Sequence, residues 1–247
     1  PRGGWLMSTR GAIARLQDER LGTWQGRYHH WDAYPEGLGA TLYELANGYF
    51  AGDLEWMLRY LIDEHPGGWS TINSADFSLP PGYIENEHSR GLCAVCAREC
   101  WKHYRQYYRN DENGTNQDKP YVPDNWPANV VTGYGHSFQQ TDEDRNRPHG
   151  PQCYCHGDRS VGTNGDAELI TQADASACGV EYAYAFDVAT RRMLVLSSYT
   201  PDGCKMVGWF GQGDPEATWK LVADVNLDAA PPNWAALEAA LEAPLDA

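Results

Sequence analysis

Hydrophobic and polar residues alternate in two regions of the chain, one near each end, and such alternation is typical of half-buried β-strands. Near the start it predicts two strands, 11–16 and 22–30, which are joined by a polar turn. Near the end it predicts a meander of four strands over 180–186, 192–196, 205–210 and 218–225. Because an isolated hairpin is marginal in water, we expect the first two strands to join the same sheet as the later ones.

Helical spacing replaces the alternation after the second strand. Three leucines in helical register predict a helix over 35–48, and Asp53 is a candidate N-cap for a second helix that ends at 66. Further helices are predicted over 88–108 and 233–241, with a short strand over 69–72. Together these elements predict an α+β fold in which an antiparallel sheet is accompanied by helices grouped in the N-terminal half.

The middle of the chain has few regular periods. Residues 110–165 are rich in Asn, Asp, Gly and Pro. A loop of this length in a compact domain is usually functional or is held by something other than an apolar core. We therefore expect one α+β domain over 1–247, in which 88–165 is a helix-plus-loop insertion tied down by a metal ion.

Two short clusters contain five of the seven cysteines. Thiolate pairs from two directions can close a tetrahedral zinc site, and such a site is structural because no coordination position stays open. The predicted zinc ligands are Cys93, Cys96, Cys153 and Cys155. The residues that could substitute for them are Cys100, His103 and His156. The helical spacing of the first cluster is also that of a buried core stripe, which is the alternative. We expect Cys178 and Cys204 to be ordinary buried thiols.

A dense group of polar and aromatic residues lies where the second strand meets the first helix. A helix N-terminus exposes unpaired N–H groups that favour an anion or an acceptor oxygen. The candidate catalytic residues are Arg10, His30 and Asp32. The candidate binding residues are Trp31, Tyr34, Gly37 and Gly39, because rings offer contact area and glycines allow close approach. The alternative is structural: the Asp32 side chain caps the helix and His30 packs inside near Arg10.

The charge balance bears on the partner. The formal net charge is −15 and the isoelectric point is about 4.8, so the basic footprint of a nucleic-acid-binding protein is missing from the total. We therefore expect a protein partner rather than nucleic acid. The sequence has no apolar run of about 18 residues, the length that crosses a membrane, so we expect no membrane span. An odd number of closely clustered cysteines fits a reducing compartment, which predicts a cytoplasmic location.

Two segments resemble a widespread set of uncharacterised bacterial and bacteriophage proteins. These segments are 7–14, with the sequence Met-Ser-Thr-Arg-Gly-Ala-Ile-Ala, and 28–35, with Tyr-His-His-Trp-Asp-Ala-Tyr-Pro. Members of the set begin with Met-Ser-Thr-Arg and carry His-Trp-Asp-x-Tyr-Pro, and the likeness continues loosely at 157–159 and 181–184. The resemblance implies a phage, a prophage or their bacterial host as the context, but no reaction. The cysteine clusters and the long middle segment depart from the shorter members.

No complete catalytic set is present, so we expect a protein that acts by binding rather than by catalysis. The primary hypothesis is a zinc-stabilised accessory protein of a phage or mobile element. The alternative is a small hydrolase that acts on a nucleotide or another phosphate-bearing compound and uses Arg10, His30 and Asp32. An acidic DNA mimic and a virion component are further alternatives, because the chain is strongly acidic.

Overall fold

A mixed sheet of eight strands forms the centre of the described structure. The computed structural model describes residues 9–18, 23–75, 77, 95, 151–154, 169–199 and 218–242. The strands are β1 Gly11–Asp18, β2 Thr23–His29, β3 Trp69–Thr71, β4 Gln152–Cys153, β5 Ile170–Thr171, β6 Tyr182–Asp187, β7 Arg192–Tyr199 and β8 Thr218–Asn226. Their order across the sheet is β4-β3-β2-β1-β6-β7-β8, and β5 pairs separately with β2.

The sheet is not purely antiparallel, so that part of the fold prediction is wrong. β1 runs parallel to β6 and β2 runs parallel to β3, whereas every other described pair is antiparallel. The reason is that alternation specifies which face a side chain takes, but it carries no information on the direction of the neighbouring strand. The prediction that the first hairpin joins the later strands is confirmed, because β1 pairs with β6.

Four α-helices accompany the sheet in the described ranges, and this confirms the α+β class. They are α1 Ala40–Asn47, α2 Leu54–Leu58, α3 Gln172–Ala177 and α4 Trp234–Glu242. A π-helical turn, Pro35–Gly39, leads into α1, and a second one, Arg59–Asp63, continues α2. Two of the four helices follow residue 170, so the helices are not confined to the N-terminal half. None of the helices in the described ranges is long and apolar enough to cross a membrane.

The local helix and strand signals of the N-terminal half are confirmed. The helices predicted over 35–48 and from Asp53, and the strand predicted over 69–72, are all present within a few residues of their expected bounds. The Asp53 carboxylate accepts a hydrogen bond from the backbone N–H of Trp56 at 2.9 Å, as expected of an N-cap. Of the helix predicted over 88–108 only Val95 is described, and it is helical and fully buried. The predicted strand over 205–210 lies outside the described residues.

Both faces of the central strands are buried. On one face, Ile13 and Tyr184 belong to the larger core, which also contains the apolar residues of α1 and α2. On the opposite face, Ala12 and Ala183 belong to a smaller core that α3 covers with Ala175. A central strand with a parallel neighbour is usually covered on both sides in this way. The face of the smaller core carries the polar cluster described next.

Candidate functional site

Arg10, His30 and Glu181 lie side by side at one end of three neighbouring strands. β1 pairs Gly11 with a residue of β2 and with a residue of β6, and the same register, continued by one residue, places Arg10 between the other two. The backbone carbonyl of Arg10 accepts a hydrogen bond from the Glu181 N–H at 3.0 Å. The backbone N–H of Arg10 donates to Glu181 Oε1 at 3.3 Å. Long-range pairing between β1 and β6 therefore creates this arrangement.

The alternation along the strands decides which face these side chains take. Residues an even number of positions apart on a strand share a face, so Arg10 lies on the face of Ala12, and Glu181 on the face of Ala183. Both alanines belong to the smaller core. Tyr28, which packs partly against that core, is two residues before His30 and shares its face. The larger polar side chains of this face are therefore grouped at the end of the sheet, next to small alanine side chains.

His30 is surrounded by three aromatic rings. The hydroxyl of Tyr28 and Nδ1 of His30 are hydrogen bonded at 2.9 Å. The ring centroids of Tyr28, Trp31 and Tyr154 lie 5.7, 4.7 and 6.3 Å from that of His30, each in an edge-to-face arrangement. We call Tyr28, His30, Trp31 and Tyr154 the ring cluster. Its members come from β2, from the segment after β2 and from the residue after β4, so the sheet assembles it from distant parts of the chain.

The electrostatics at Tyr28 show which charged groups lie near the ring cluster. Burial raises the pKa of the Tyr28 hydroxyl to about 12, and the positive charge of Arg10 opposes that rise. The thiol of Cys178 and the carboxyl of Glu181 add to the rise. The Tyr28 hydroxyl is therefore neutral at physiological pH and can donate its proton to Nδ1 of His30.

The Arg10 side chain contains a buried donor without an acceptor. Its Nε atom is buried and has no hydrogen-bond partner among the described residues. Arg15, in β1, behaves differently, because its two terminal nitrogens donate to the carboxylate of Asp63 at 2.8 and 2.7 Å. A buried donor that lacks an acceptor costs about 1–3 kcal/mol. The Nε–H of Arg10 is therefore a donor that the described part of the chain leaves unsatisfied.

Asp32 does not cap the following helix with its side chain, so the capping prediction is wrong. The N-cap residue is Tyr34, which has the extended backbone that a cap requires, and no side chain caps that turn. Asp32 has a left-handed backbone, with φ at 58°, and its carbonyl accepts a hydrogen bond from the N–H of Leu38 at 3.1 Å. The turn thus presents the carbonyl to the helix instead of the carboxylate. Burial raises the pKa of the Asp32 carboxyl.

His29 is fully buried and His30 is not, so the expectation that His30 packs inside is corrected. His29 faces the opposite side of the sheet, and its Nε2 accepts a hydrogen bond from the backbone N–H of Ile72 at 2.9 Å. Burial, followed by the charge of His30, lowers the pKa of His29 to about 3. His30 itself is half-buried.

The four candidate binding residues have two different structural roles. Trp31 belongs to the ring cluster, and its indole Nε1 is buried without a hydrogen-bond partner in the described part of the chain. The space around the two glycines is filled by the protein itself. A Cβ at Gly37 would lie 2.9 Å from the ring of Tyr34, and a Cβ at Gly39 would lie 3.0 Å from the ring of Tyr184. Tyr34, Gly37 and Gly39 therefore serve helix packing.

The predicted zinc ligands fall almost entirely outside the described residues. Of the four first ligands and three substitutes only Cys153 is described. It is 4% exposed and lies opposite Trp69 in β3. The described residues contain no group of three or more His, Cys, Asp or Glu side chains arranged to hold a metal ion. Cys178 is exposed at the end of α3, contrary to the expectation of a buried thiol, and Cys204 is outside the described residues.

Sequence reasoning selected Arg10, His30 and Trp31 but missed Tyr28, Tyr154, Cys178 and Glu181. The signal for Tyr28 was present, since alternation along β2 places it on the face of His30. Glu181 and Tyr154 could not be found in this way, because their positions depend on strand pairing across long stretches of chain. No protein-family model, curated protein or solved structure matches this chain.

Proposed function

We propose that this chain acts by binding a protein partner, as an accessory protein of a phage or mobile element, and that it binds through the ring cluster and Arg10. The observation that carries the proposal is the buried Nε of Arg10, without an acceptor among the described residues, beside four clustered rings. Tyr, Trp and Arg are the residues that dominate binding energy at protein interfaces. The phage context comes from the resemblance at 7–14 and 28–35, and zinc stabilisation is part of the same proposal.

Site-specific photocrosslinking tests this proposal. A photoreactive phenylalanine analogue replaces Trp31 in the full chain, and in a control chain it replaces Trp56, which is 36% exposed and belongs to α2. After irradiation in a bacterial extract, we expect a discrete crosslinked protein from position 31 and not from position 56. The additional change Arg10→Ala should remove it. Equal crosslinking from both positions, or none from position 31, would overturn the proposal.

The second candidate is a hydrolase for a nucleotide or another phosphate-bearing compound. The observation that favours it is the position of Arg10 beside His30, because a cation next to an imidazole suits a phosphoryl group. Asp32, the third residue of the original set, makes no hydrogen bond or ion pair with either residue in the described structure. Release of phosphate from a panel of nucleotides, lost in His30→Asn, would support this candidate over binding alone. Wild-type protein that releases no phosphate would exclude it for those compounds.

A further inference from the structure

Gly68 lies directly against the backbone of Tyr28. The chain turns just before β3, where the N–H of Gly68 donates to the carbonyl of His65 at 2.9 Å, and the backbone of Gly68 is left-handed, with φ at 73°. A Cβ at Gly68 would lie 2.7 Å from the carbonyl oxygen of Tyr28. This is closer than non-bonded carbon and oxygen atoms normally approach, and the oxygen belongs to the backbone of a paired strand. Only glycine therefore allows this contact.

Gly68 also holds the backbone of Tyr154. The carbonyl of Gly68 accepts a hydrogen bond from the N–H of Tyr154 at 2.9 Å. This bond continues the antiparallel pairing of β3 with β4, in which Trp69 lies opposite Cys153. Gly68 therefore contacts the backbones of two members of the ring cluster, Tyr28 and Tyr154, which come from distant parts of the chain.

Both of these tyrosines meet His30. The hydroxyl of Tyr28 is hydrogen bonded to Nδ1 of His30, and the ring of Tyr154 lies edge-to-face with the imidazole, with 6.3 Å between the ring centroids. Tyr28 and His30 are two positions apart, so their contact needs no other part of the chain. Tyr154 reaches His30 only if its backbone lies close to β2, and the contact at Gly68 sets that distance.

We infer that Gly68 is the positioning residue of the ring cluster, because its missing side chain lets the ring of Tyr154 reach His30. This inference rests on the proposed function, since it names the residue on which assembly of that binding surface depends. A ring that is already held in its bound position adds more to affinity than one that must be ordered on binding. Since β4 is only two residues long, strand pairing alone gives Tyr154 little support.

Gly68→Asn separates the close approach from the backbone conformation. Asparagine tolerates a left-handed backbone better than most side chains, but its Cβ would still meet the carbonyl of Tyr28. Gly52→Asn is the matched control, because φ at Gly52 is 86°. The nearest heavy atoms to a Cβ there belong to the mobile guanidinium end of Arg191, the closest at 3.4 Å. Both variants therefore carry the same backbone requirement, and only one has the steric conflict.

Nuclear magnetic resonance of the full chain measures the ring contacts. We expect the nuclear Overhauser effect between the rings of Tyr154 and His30 to be lost in Gly68→Asn and retained in Gly52→Asn. The effect between the rings of Tyr28 and His30 should remain in both variants, which shows that the sheet is folded. Retention of the Tyr154 contact in Gly68→Asn, or an equal loss in Gly52→Asn, would overturn the inference.

Photocrosslinking from position 31 measures the effect on binding. The yield should fall about tenfold in Gly68→Asn and in Tyr154→Ala, the loss typical of one important interface side chain. The double variant should lose no more than either single variant, because Gly68 acts through Tyr154. Losses that add in the double variant would overturn the inference.

Hydrogen exchange of the wild-type protein decides the question if Gly68→Asn does not fold. Protection of the Tyr154 amide supports the inference, and exchange at the rate of a free amide would overturn it. Loss of the ring contact in Gly68→Asn, with no crosslink from the wild-type chain, would keep this inference and overturn the proposed protein partner. A wild-type crosslink that Gly68→Asn leaves unchanged would do the reverse.

Discussion

The hydroxyl of Tyr28, near the end of β2, forms a hydrogen bond of 2.9 Å with Nδ1 of His30, two residues further along the chain. Because burial raises the pKa of Tyr28 to about 12, this hydroxyl stays protonated over the whole physiological range. The contact therefore fixes the orientation of the imidazole.

Tyr28→Phe should lower the free energy of unfolding by about 1 kcal/mol, the typical net value of one hydrogen bond, while the ring remains in place. Tyr154→Phe is the matched control, because the rings of Tyr154 and His30 lie in an edge-to-face arrangement. Urea denaturation measures both variants. An alkaline titration followed by ultraviolet absorbance should lose a phenol with a pKa of about 12 in Tyr28→Phe. Equal stability losses in the two variants would contradict this role of the hydroxyl.

Folding stability should fall with acid because His29 must stay neutral. The pKa of His29 is about 3 in the folded protein against 6.5 for the free side chain, so the unfolded chain binds the extra proton between these values. The contribution of neutral His29 to the free energy of unfolding is fully present above pH 6.5 and is lost as the pH falls toward the folded pKa. Between about pH 7 and about pH 5, protonation of His29 in the unfolded chain should lower the free energy of unfolding by about 2 kcal/mol.

Urea denaturation at these two pH values checks the effect of His29. His29→Gln should lose less stability than wild type between them, because glutamine does not titrate and its amide oxygen can accept from the Ile72 N–H. The same loss in both proteins would mean that other groups control the acid response.

The left-handed backbone at Asp32 predicts an unusual order of substitutions. Asp32→Gly should be tolerated, because glycine adopts a positive φ without steric cost. Asp32→Val should destabilise the protein by about 1–2 kcal/mol, because a β-branched residue clashes in this conformation. Thermal melts of the two variants measure the difference. Equal melting temperatures would show that the turn does not need the left-handed conformation.

Zinc content decides between a metal site and core thiols. We expect one zinc per chain in reduced wild-type protein, lost in Cys153→Ala and retained in Cys178→Ala, since only the former removes a predicted ligand. Elemental analysis of the purified proteins gives this ratio. Wild-type protein without zinc would leave Cys153 as a packing residue of the larger core, where it is already buried.

Local patterns in the sequence were sufficient for most of the helices and strands, but they did not predict α3, β4 or β5, nor how the elements are arranged. The leucines after Pro35, the cap at Asp53 and the alternation at 180–186 all report interactions within a few residues. The direction of β6 beside β1, and the approach of Glu181 to Arg10, depend on pairing between residues 171 positions apart. Nothing local encodes such a contact. The prediction for Asp32 failed for a different reason. An aspartate side chain suits an N-cap, but the backbone conformation of Asp32 is set by the turn around it.

The parallel pairing of β1 with β6 also constrains how this protein folds. The β1–β2 hairpin is synthesised early, yet β1 cannot gain its second neighbour until residues 182–187 have been made. Until then the nascent hairpin has an unpaired apolar edge, which is the condition under which chains aggregate or recruit chaperones. Closing so large a loop is entropically slow, so the sheet should mature late. Since Arg10 and Glu181 meet only at that step, any fragment that stops before β6 would lack the assembled site as well as the central strand pair.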